Sequence, residues 1–174
     1  MGPPEERRFL ELLAGHRAIL HKVAYGYCRD PEDRRDLVQE MAIELWRSFP
    51  RFDGRVLFTT WAYRVALNVA ISHFRGERRR IRDTIPFDEV LDLGVDDPLL
   101  DTASDNMRVL RRLIDGLDAL NRALILLYLD GNTAEEIAAI LGISPANVTT
   151  RVNRVKNELQ RGFASLEKPT EATA

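Results

Sequence analysis

The chain has 174 residues, of which 45% are hydrophobic and 30% are charged, and its formal net charge is −2. This length suits one or two domains, and the hydrophobic fraction is sufficient for a buried core. The longest apolar run, residues 123–129, is far shorter than the roughly 20 residues of a membrane-spanning helix, and the start lacks the apolar core of a signal peptide. We therefore expect a cytosolic protein without membrane insertion.

Few residues of the chain are suited to metal binding or catalysis. A single cysteine, Cys28, cannot form an intrachain disulfide or a multi-cysteine zinc site. The three histidines have no metal-ligand spacing, and the sequence has no glycine-rich phosphate loop. We expect no metal, no cofactor, no catalytic residue and no enzymatic activity of its own.

The charges are distributed unevenly along the chain. Residues 51–82 contain eight arginines and two acidic residues, whereas residues 83–105 contain eight acidic residues and no lysine or arginine. The acidic segment also contains Pro86, Gly94 and Pro98 and has no sustained helical period, so we interpret it as a linker. Such blocks of charge are more informative about binding partners than the net charge.

The segment before the arginine-rich region predicts helices. Apolar residues at helical spacing indicate one or two helices that end near Cys28. Asp30 is then an N-cap, Pro31 occupies the first helical position, and Pro50 stops this next helix. Its predicted inner stripe consists of Val38, Met41, Ala42, Leu45 and Phe49.

A further helix follows the loop of residues 51–58, and either Thr59 or Thr60 can cap it. One face is predicted to be apolar and contains Trp61, Val65, Ala66 and Val69. A second face is polar and partly cationic and contains Thr60, Arg64, Asn68, Ser72, Arg75 and Arg79. Together they predict an amphipathic helix that ends in the arginine cluster.

Aromatic residues accompany the polar face of this helix. They are Phe52, Phe58, Trp61, Tyr63 and Phe74, and the run of three arginines at residues 78–80 follows them. Aromatic rings stack on unpaired bases and arginines bind phosphates, so the combination predicts a surface for single-stranded or distorted nucleic acid. In the alternative interpretation the arginines form a solvated helix end, and Trp61 and Phe74 are core residues.

The second half of the chain begins its helical pattern near Met107. Leucines at 4-3-4-3 spacing predict a buried stripe: Leu113, Leu117, Leu120, Leu124 and Leu127. The stripe is predicted to span two helices, with a break within residues 118–121 and an end at Gly131. Thr133 and Glu136 then form a capping box, and Gly142 ends the short helix that follows, whose inner residues are predicted to be Ile137, Ala138 and Leu141.

Ser144 and Pro145 start the last helix, and together with the preceding helix it predicts a helix-turn-helix. Its inner stripe is predicted to be Val148, Val152, Val155 and Leu159. The exposed residues are of types that bond base edges and phosphates in the major groove: Asn147, Thr149, Thr150, Arg151, Asn153, Arg154 and Lys156. The alternative is a plain helical hairpin with a solvated polar face.

Three segments in this order resemble the extracytoplasmic-function group of bacterial sigma-70-type factors. They are DLVQEMAIELWRSFPRFD, FTTWAYRVALNVAISHFRGERRR and, after the acidic linker, GNTAEEIAAILGISPANVTTRVNRVKNEL. The resemblance implies an all-α fold of two small helical domains. Residues 5–82 would form a region 2-like domain, residues 83–106 a flexible acidic linker, residues 107–166 a region 4-like helix-turn-helix domain, and residues 167–174 a disordered tail.

The resemblance also implies partners and residue roles. In that family, region 2 binds the β′ clamp helices of core RNA polymerase and opens the minus-ten promoter element, and region 4 contacts the β flap and reads the minus-thirty-five element. The expected polymerase contacts are Asp36, Leu37, Gln39, Glu40, Ile43 and Trp46. The expected minus-ten contacts are Phe52, Phe58, Thr60, Trp61, Tyr63, Arg64, Asn68 and Arg75. The expected minus-thirty-five contacts are the seven polar residues of the last helix. An anti-sigma factor is a further expected partner.

One position departs from the family pattern. The chain has Ser72 where the family commonly has an aspartate, so no role of that carboxylate is transferred.

Two other classes of protein are compatible with parts of the sequence. An autonomous helix-turn-helix regulator would need no polymerase, but it has no reason to keep a basic, aromatic face in the first domain. A nucleic-acid-processing enzyme would need a carboxylate or histidine metal site, which the sequence does not show. We therefore predict a transcription initiation factor that directs core RNA polymerase to promoters.

Overall fold

The computed structural model describes residues 2–75 and 105–167. Within these ranges the chain forms eight α-helices and one 3-10 turn, and it forms no β-strand. They are α1 (Pro3–His16), α2 (Ala18–Tyr27), α3 (Pro31–Ser48), the 3-10 turn Phe49–Arg51, α4 (Phe58–Phe74), α5 (Asp105–Asp115), α6 (Ala119–Leu129), α7 (Ala134–Leu141) and α8 (Pro145–Glu167). The predicted all-α fold is confirmed. None of the described helices is long and apolar enough to cross a membrane.

The chain divides into two compact units. The first contains α1–α4, and the second contains α5, α6, α8 and the first part of α7. Most of the predicted linker lies outside the described residues, as do the three arginines at residues 78–80 and residues 168–174 of the predicted tail. The last two predicted linker residues are instead the first residues of α5, and Glu167 is the last residue of α8. Asp105 suits the first turn of a helix because a carboxylate there complements the helix dipole.

Helix α3 begins and packs as its sequence predicts. Oδ1 of Asp30 accepts hydrogen bonds from the backbone N–H groups of Glu32 and Asp33, at 2.8 and 3.2 Å. Pro31 occupies the first helical position, where its missing N–H leaves no donor unpaired. All five residues of the predicted inner stripe are at most 5% exposed. The N-cap and the helical spacing of the apolar residues therefore define α3. Helix α4 packs against α3 and against α2.

The predicted start and inner face of α4 are wrong in part. The helix begins at Phe58 after Leu57, which has no side-chain cap, so Thr59 and Thr60 lie inside the helix. Its fully buried side is formed by Ala62, Tyr63, Ala66, Leu67 and Ala70, whereas Trp61, Val65 and Val69 are only half-buried. Packing of α4 against α2 and α3 decides both its start and its inner face. Phe58 is buried, and the small alanine side chains allow α2 and α3 to pack against α4.

The second unit is built around α8. Residues of α5, α6, α8 and the loop between α5 and α6 form one apolar cluster: Ile114, Leu117, Ile125, Val155 and Leu159, with Leu110 and Leu113 against it. The predicted break between α5 and α6 is confirmed, and Asp118 lies in it. Its Oδ1 accepts hydrogen bonds from the backbone N–H groups of Leu120 and Asn121, each at 3.0 Å, which caps α6.

The turn chemistry of the helix-turn-helix is confirmed. Thr133 and Glu136 form a reciprocal capping box, with Thr133 N–H donating to Glu136 Oε2 at 2.7 Å and Glu136 N–H donating to Thr133 Oγ1 at 3.2 Å. Gly142 ends α7 with a φ of 70°, a conformation that disfavours other residues. Ser144 Oγ accepts from the backbone N–H of Asn147 at 3.2 Å and so caps α8. The four residues of the predicted α8 stripe are all buried.

Candidate nucleic-acid and partner interfaces

The predicted polymerase contacts lie along α3. Asp36 and Gln39 are exposed, and Glu40, Ile43 and Trp46 are half-buried, so these five can contribute to a surface. Leu37 is completely buried and belongs to the core, so it supports that surface from below. The Trp46 ring packs edge-on against Phe9, with the centroids 5.3 Å apart, which fixes the indole at the end of this surface.

One contact on this surface has no counterpart in the sequence prediction. Oε2 of Glu40 lies 3.5 Å from Nδ1 of His73 on α4, with the two side chains 37% and 21% exposed. The pair joins α3 to α4, and His73 directly follows Ser72 in the chain. No local sequence period links two residues on different helices, so only the fold reveals it.

An aromatic cluster occupies the loop before α4 and the start of this helix; we use this name for Phe49, Phe52, Phe58 and Trp61. The Phe52 ring lies 5.0 Å from Trp61, 5.8 Å from Phe58 and 5.9 Å from Phe49. Phe49 and Phe58 are buried, whereas Phe52 and Trp61 are half-buried and reach the surface. The cluster therefore presents two rings to a ligand and supports them with two others.

The remaining predicted minus-ten residues divide between surface and core. Asn68 is exposed on α4, and Arg75 is exposed at its C-terminal cap. Thr60 and Arg64 precede Asn68 at intervals of four residues and therefore share its face. Tyr63 is only 7% exposed and lies in the core, so its ring supports the fold instead of facing a ligand.

The predicted DNA-reading residues of α8 lie on its accessible side. Asn147, Thr149, Thr150, Asn153 and Arg154 are exposed, and Arg151 and Lys156 are half-buried. Their predicted exposure follows from the buried valine stripe, because a helix that buries one side presents the other. These side chains are the donors, acceptors and cations that a major groove can bind.

Two contacts on α8 were not predicted from the sequence. Arg151 Nε donates to Oδ1 of Asn147 at 3.0 Å, an interaction that the four-residue spacing could have indicated. Lys156 Nζ donates to the hydroxyl oxygen of Tyr128 at 3.2 Å and lies 5.1 Å from the centre of that ring. Tyr128 is on α6, so its contact with Lys156 depends on the packing of two helices.

Comparison with known families gives matches on both units. The model of Sigma-70 region 2 matches residues 12–80, and the model of Sigma-70 region 4 matches residues 107–166. The ECF RNA polymerase sigma-E factor of Salmonella typhimurium is 32% identical over 151 residues, covering 80% of this chain and 79% of that protein. The ECF RNA polymerase sigma factor SigX of Bacillus subtilis is 29% identical over 169 residues, covering 94% and 87%.

Solved structures of similar fold are complexes of two proteins. The structure of CnrH with the cytosolic domain of CnrY is similar with a TM-score of 0.66 and 22% identity, covering 94% of this chain and 91% of that chain. The sigma factor RpoE of Bartonella quintana, in complex with the anti-sigma factor NepR, gives a TM-score of 0.64 and 22% identity, covering 94% and 98%.

A region 2 domain followed by a region 4 helix-turn-helix domain defines a sigma factor of the sigma-70 class. Its similarity to these relatives shows that the chain belongs to the extracytoplasmic-function (ECF) group of RNA polymerase sigma factors, as the sequence resemblance implied. Its function is that of an ECF sigma factor in transcription initiation.

Proposed function

We propose that the two units divide the work of promoter recognition between them. A region 2-like domain, residues 5–82, binds core RNA polymerase and opens the minus-ten element, and a region 4-like domain, residues 107–166, reads the minus-thirty-five element. The observation that carries this proposal is the helix-turn-helix of α7 and α8, whose second helix buries a valine stripe and exposes polar and cationic residues. A plain helical hairpin with a solvated polar face would have the same asymmetry, and the match of residues 107–166 to Sigma-70 region 4 is what favours the DNA-reading role.

Polymerase binding is assigned to the surface of α3. Exposed Asp36 and Gln39 precede the half-buried Ile43 and Trp46 on α3, so the surface combines polar groups with apolar groups that a partner helix can cover. The Trp46 indole is already held by Phe9, so little side-chain freedom is lost when a partner binds it. We assign the β′ clamp helices to this surface and the β flap to the second unit.

Strand opening is assigned to the aromatic cluster and the polar face of α4. Phe52 and Trp61 provide flat rings at the surface, on which unpaired bases can stack. Asn68 is exposed on α4 and Arg75 at its C-terminal cap, and both can bind the strand through bases or phosphates. The second unit reads duplex DNA instead, since an α-helix fits the major groove.

Further partners and the site of action follow from the proposed role. Both similar solved structures are complexes, one of them with a protein described as an anti-sigma factor, which supports an anti-sigma partner for this chain. We place the protein in the cytosol with the polymerase. It initiates transcription as a binding subunit, and the polymerase supplies the chemistry.

Run-off transcription tests the proposal. Purified chain and core RNA polymerase are combined with a pool of genomic promoters, and the products are compared with those of core polymerase alone. We expect specific transcripts only when the chain is present. As a control, the core polymerase preparation must be active with another sigma factor. If the chain binds specific DNA but such a preparation produces no transcript with it, the chain is instead an autonomous helix-turn-helix regulator.

A further inference from the structure

Asn147 and Arg151 form a side-chain pair at the N-terminal end of α8. Asn147 is the third residue of the helix and Arg151 follows four residues later, so their side chains meet on one face. Arg151 Nε donates to Asn147 Oδ1 at 3.0 Å, the usual length of an N–H···O hydrogen bond. The pair orients the guanidinium group before any DNA is bound.

This orientation determines which edge of the guanidinium group remains available. The group is a planar fork with donors on Nε, Nη1 and Nη2. Because the Nε–H is used by Asn147, the edge formed by Nη1 and Nη2 keeps two parallel donors. Guanine presents two neighbouring acceptors, O6 and N7, in the major groove, and these accept a bidentate pair of donors from arginine.

The neighbouring side chains are engaged differently. The hydroxyl groups of Thr149 and Thr150 donate to the backbone oxygens of Pro145 and Ala146, at 3.1 and 3.0 Å. Their protons are thus directed to the helix, and the threonines offer methyl groups and oxygen acceptors to DNA. Asn147 uses on Arg151 the same oxygen that a bidentate contact of its amide with adenine would need.

We propose that Arg151 reads one guanine of the upstream promoter element through Nη1 and Nη2, and that Asn147 is a positioning residue for Arg151. This inference rests on the proposed function, since it requires α8 to lie in the major groove. It assigns a base to Arg151, and it changes the expected role of Asn147 from a direct DNA contact to a support for the arginine. Specificity at that base then depends on both residues.

A randomised promoter library tests the assignment. The full chain is assembled with core RNA polymerase, the downstream element is held constant, the upstream element is randomised, and the bound DNA is sequenced. The unaltered protein should prefer guanine at one position. Arg151→Ala should reduce that preference by about 10-fold or more, and Asn147→Ala by about 3- to 10-fold at the same position, the range of a weakened bidentate contact.

Two further variants separate positioning from direct reading. Asn147→Asp keeps an oxygen acceptor for Arg151, so it should keep the guanine preference while its negative charge weakens binding to all sequences. Asn157→Ala is the matched control, because Asn157 is exposed on the same helix and is not among the predicted DNA-reading residues. This control should leave the guanine preference unchanged, and circular dichroism verifies that each variant is folded.

The outcomes distinguish this assignment from the proposed function. If Asn147→Ala leaves the guanine preference unchanged, or changes the preference for a different base, the positioning role is overturned. If Arg151→Ala keeps the preference, the reading role is overturned. If the unaltered holoenzyme has no sequence preference in the upstream element, the proposed function of the second unit is itself overturned.

Discussion

Replacement of Phe52 by leucine should impair promoter opening and leave closed-complex binding nearly unchanged. Phe52 contacts three rings of the aromatic cluster and is half-buried, so one part of the side chain packs and the other is accessible. Leucine keeps apolar volume at this position but has no flat surface. Loss of one base–ring stack costs about 1–3 kcal/mol, which corresponds to roughly a 5- to 150-fold loss of open complex.

Phe52→Ala separates stacking from stability. Removing a fully buried phenylalanine costs about 3–5 kcal/mol, and a half-buried ring is expected to cost about half of that. Phe52→Leu should be destabilised much less, since it fills most of the same space. Both variants should impair promoter opening to a similar extent, although their free energies of unfolding differ. The loss of opening would then not be explained by the loss of stability.

The assay compares two steps on the same promoter. Permanganate reactivity of thymines in the minus-ten region reports unpaired bases, and footprinting at low temperature reports closed-complex binding. Phe163→Leu is the matched control, because Phe163 is also half-buried but lies on α8, outside the aromatic cluster, and it should leave opening unchanged. Unchanged permanganate reactivity in a folded Phe52→Leu holoenzyme would refute the stacking role.

Three other outcomes are expected. Gly142→Ala should destabilise the helix-turn-helix by about 1–2 kcal/mol, because the φ of 70° disfavours a Cβ. Gly142→Asn should cost less, and an equal melting temperature of all three proteins would contradict this. Asp118→Ala should cost about 1 kcal/mol through loss of the α6 cap, and retention of the unfolding free energy, measured with urea, would argue against that cap. Lys156→Ala should weaken holoenzyme binding about equally on all promoter sequences, as loss of a phosphate contact does. It should also reduce the slope of the log binding constant against log salt concentration by about one. A change confined to one base would instead assign Lys156 to base reading.

Local chemistry made much of the fold predictable. Asp30 and Thr133 lie at helix starts where their side chains bond backbone N–H groups, and Gly142 lies where the backbone needs a positive φ. The valine stripe of α8 is equally local, since a helix with one apolar side has one way to bury it. These features depend on residues within one or two turns of each other.

Features that depend on distant packing were not predictable in the same way. Helix α4 begins at Phe58 because that ring packs into the aromatic cluster, although Thr59 and Thr60 are better capping residues. Tyr63 was expected at the DNA surface and lies in the core, because α4 packs against two helices. The pairing of Glu40 with His73 likewise needed the fold.

Titration of labelled promoter DNA with the purified chain, with and without core RNA polymerase, tests most directly whether the chain acts as a sigma factor. A net charge of −2 gives weak long-range attraction to DNA, and each unit alone offers a small surface. We therefore expect weak, nonspecific binding by the chain alone and tight, promoter-specific binding with polymerase, which holds both surfaces on one DNA. Nanomolar, sequence-specific binding by the chain without polymerase would contradict this mechanism.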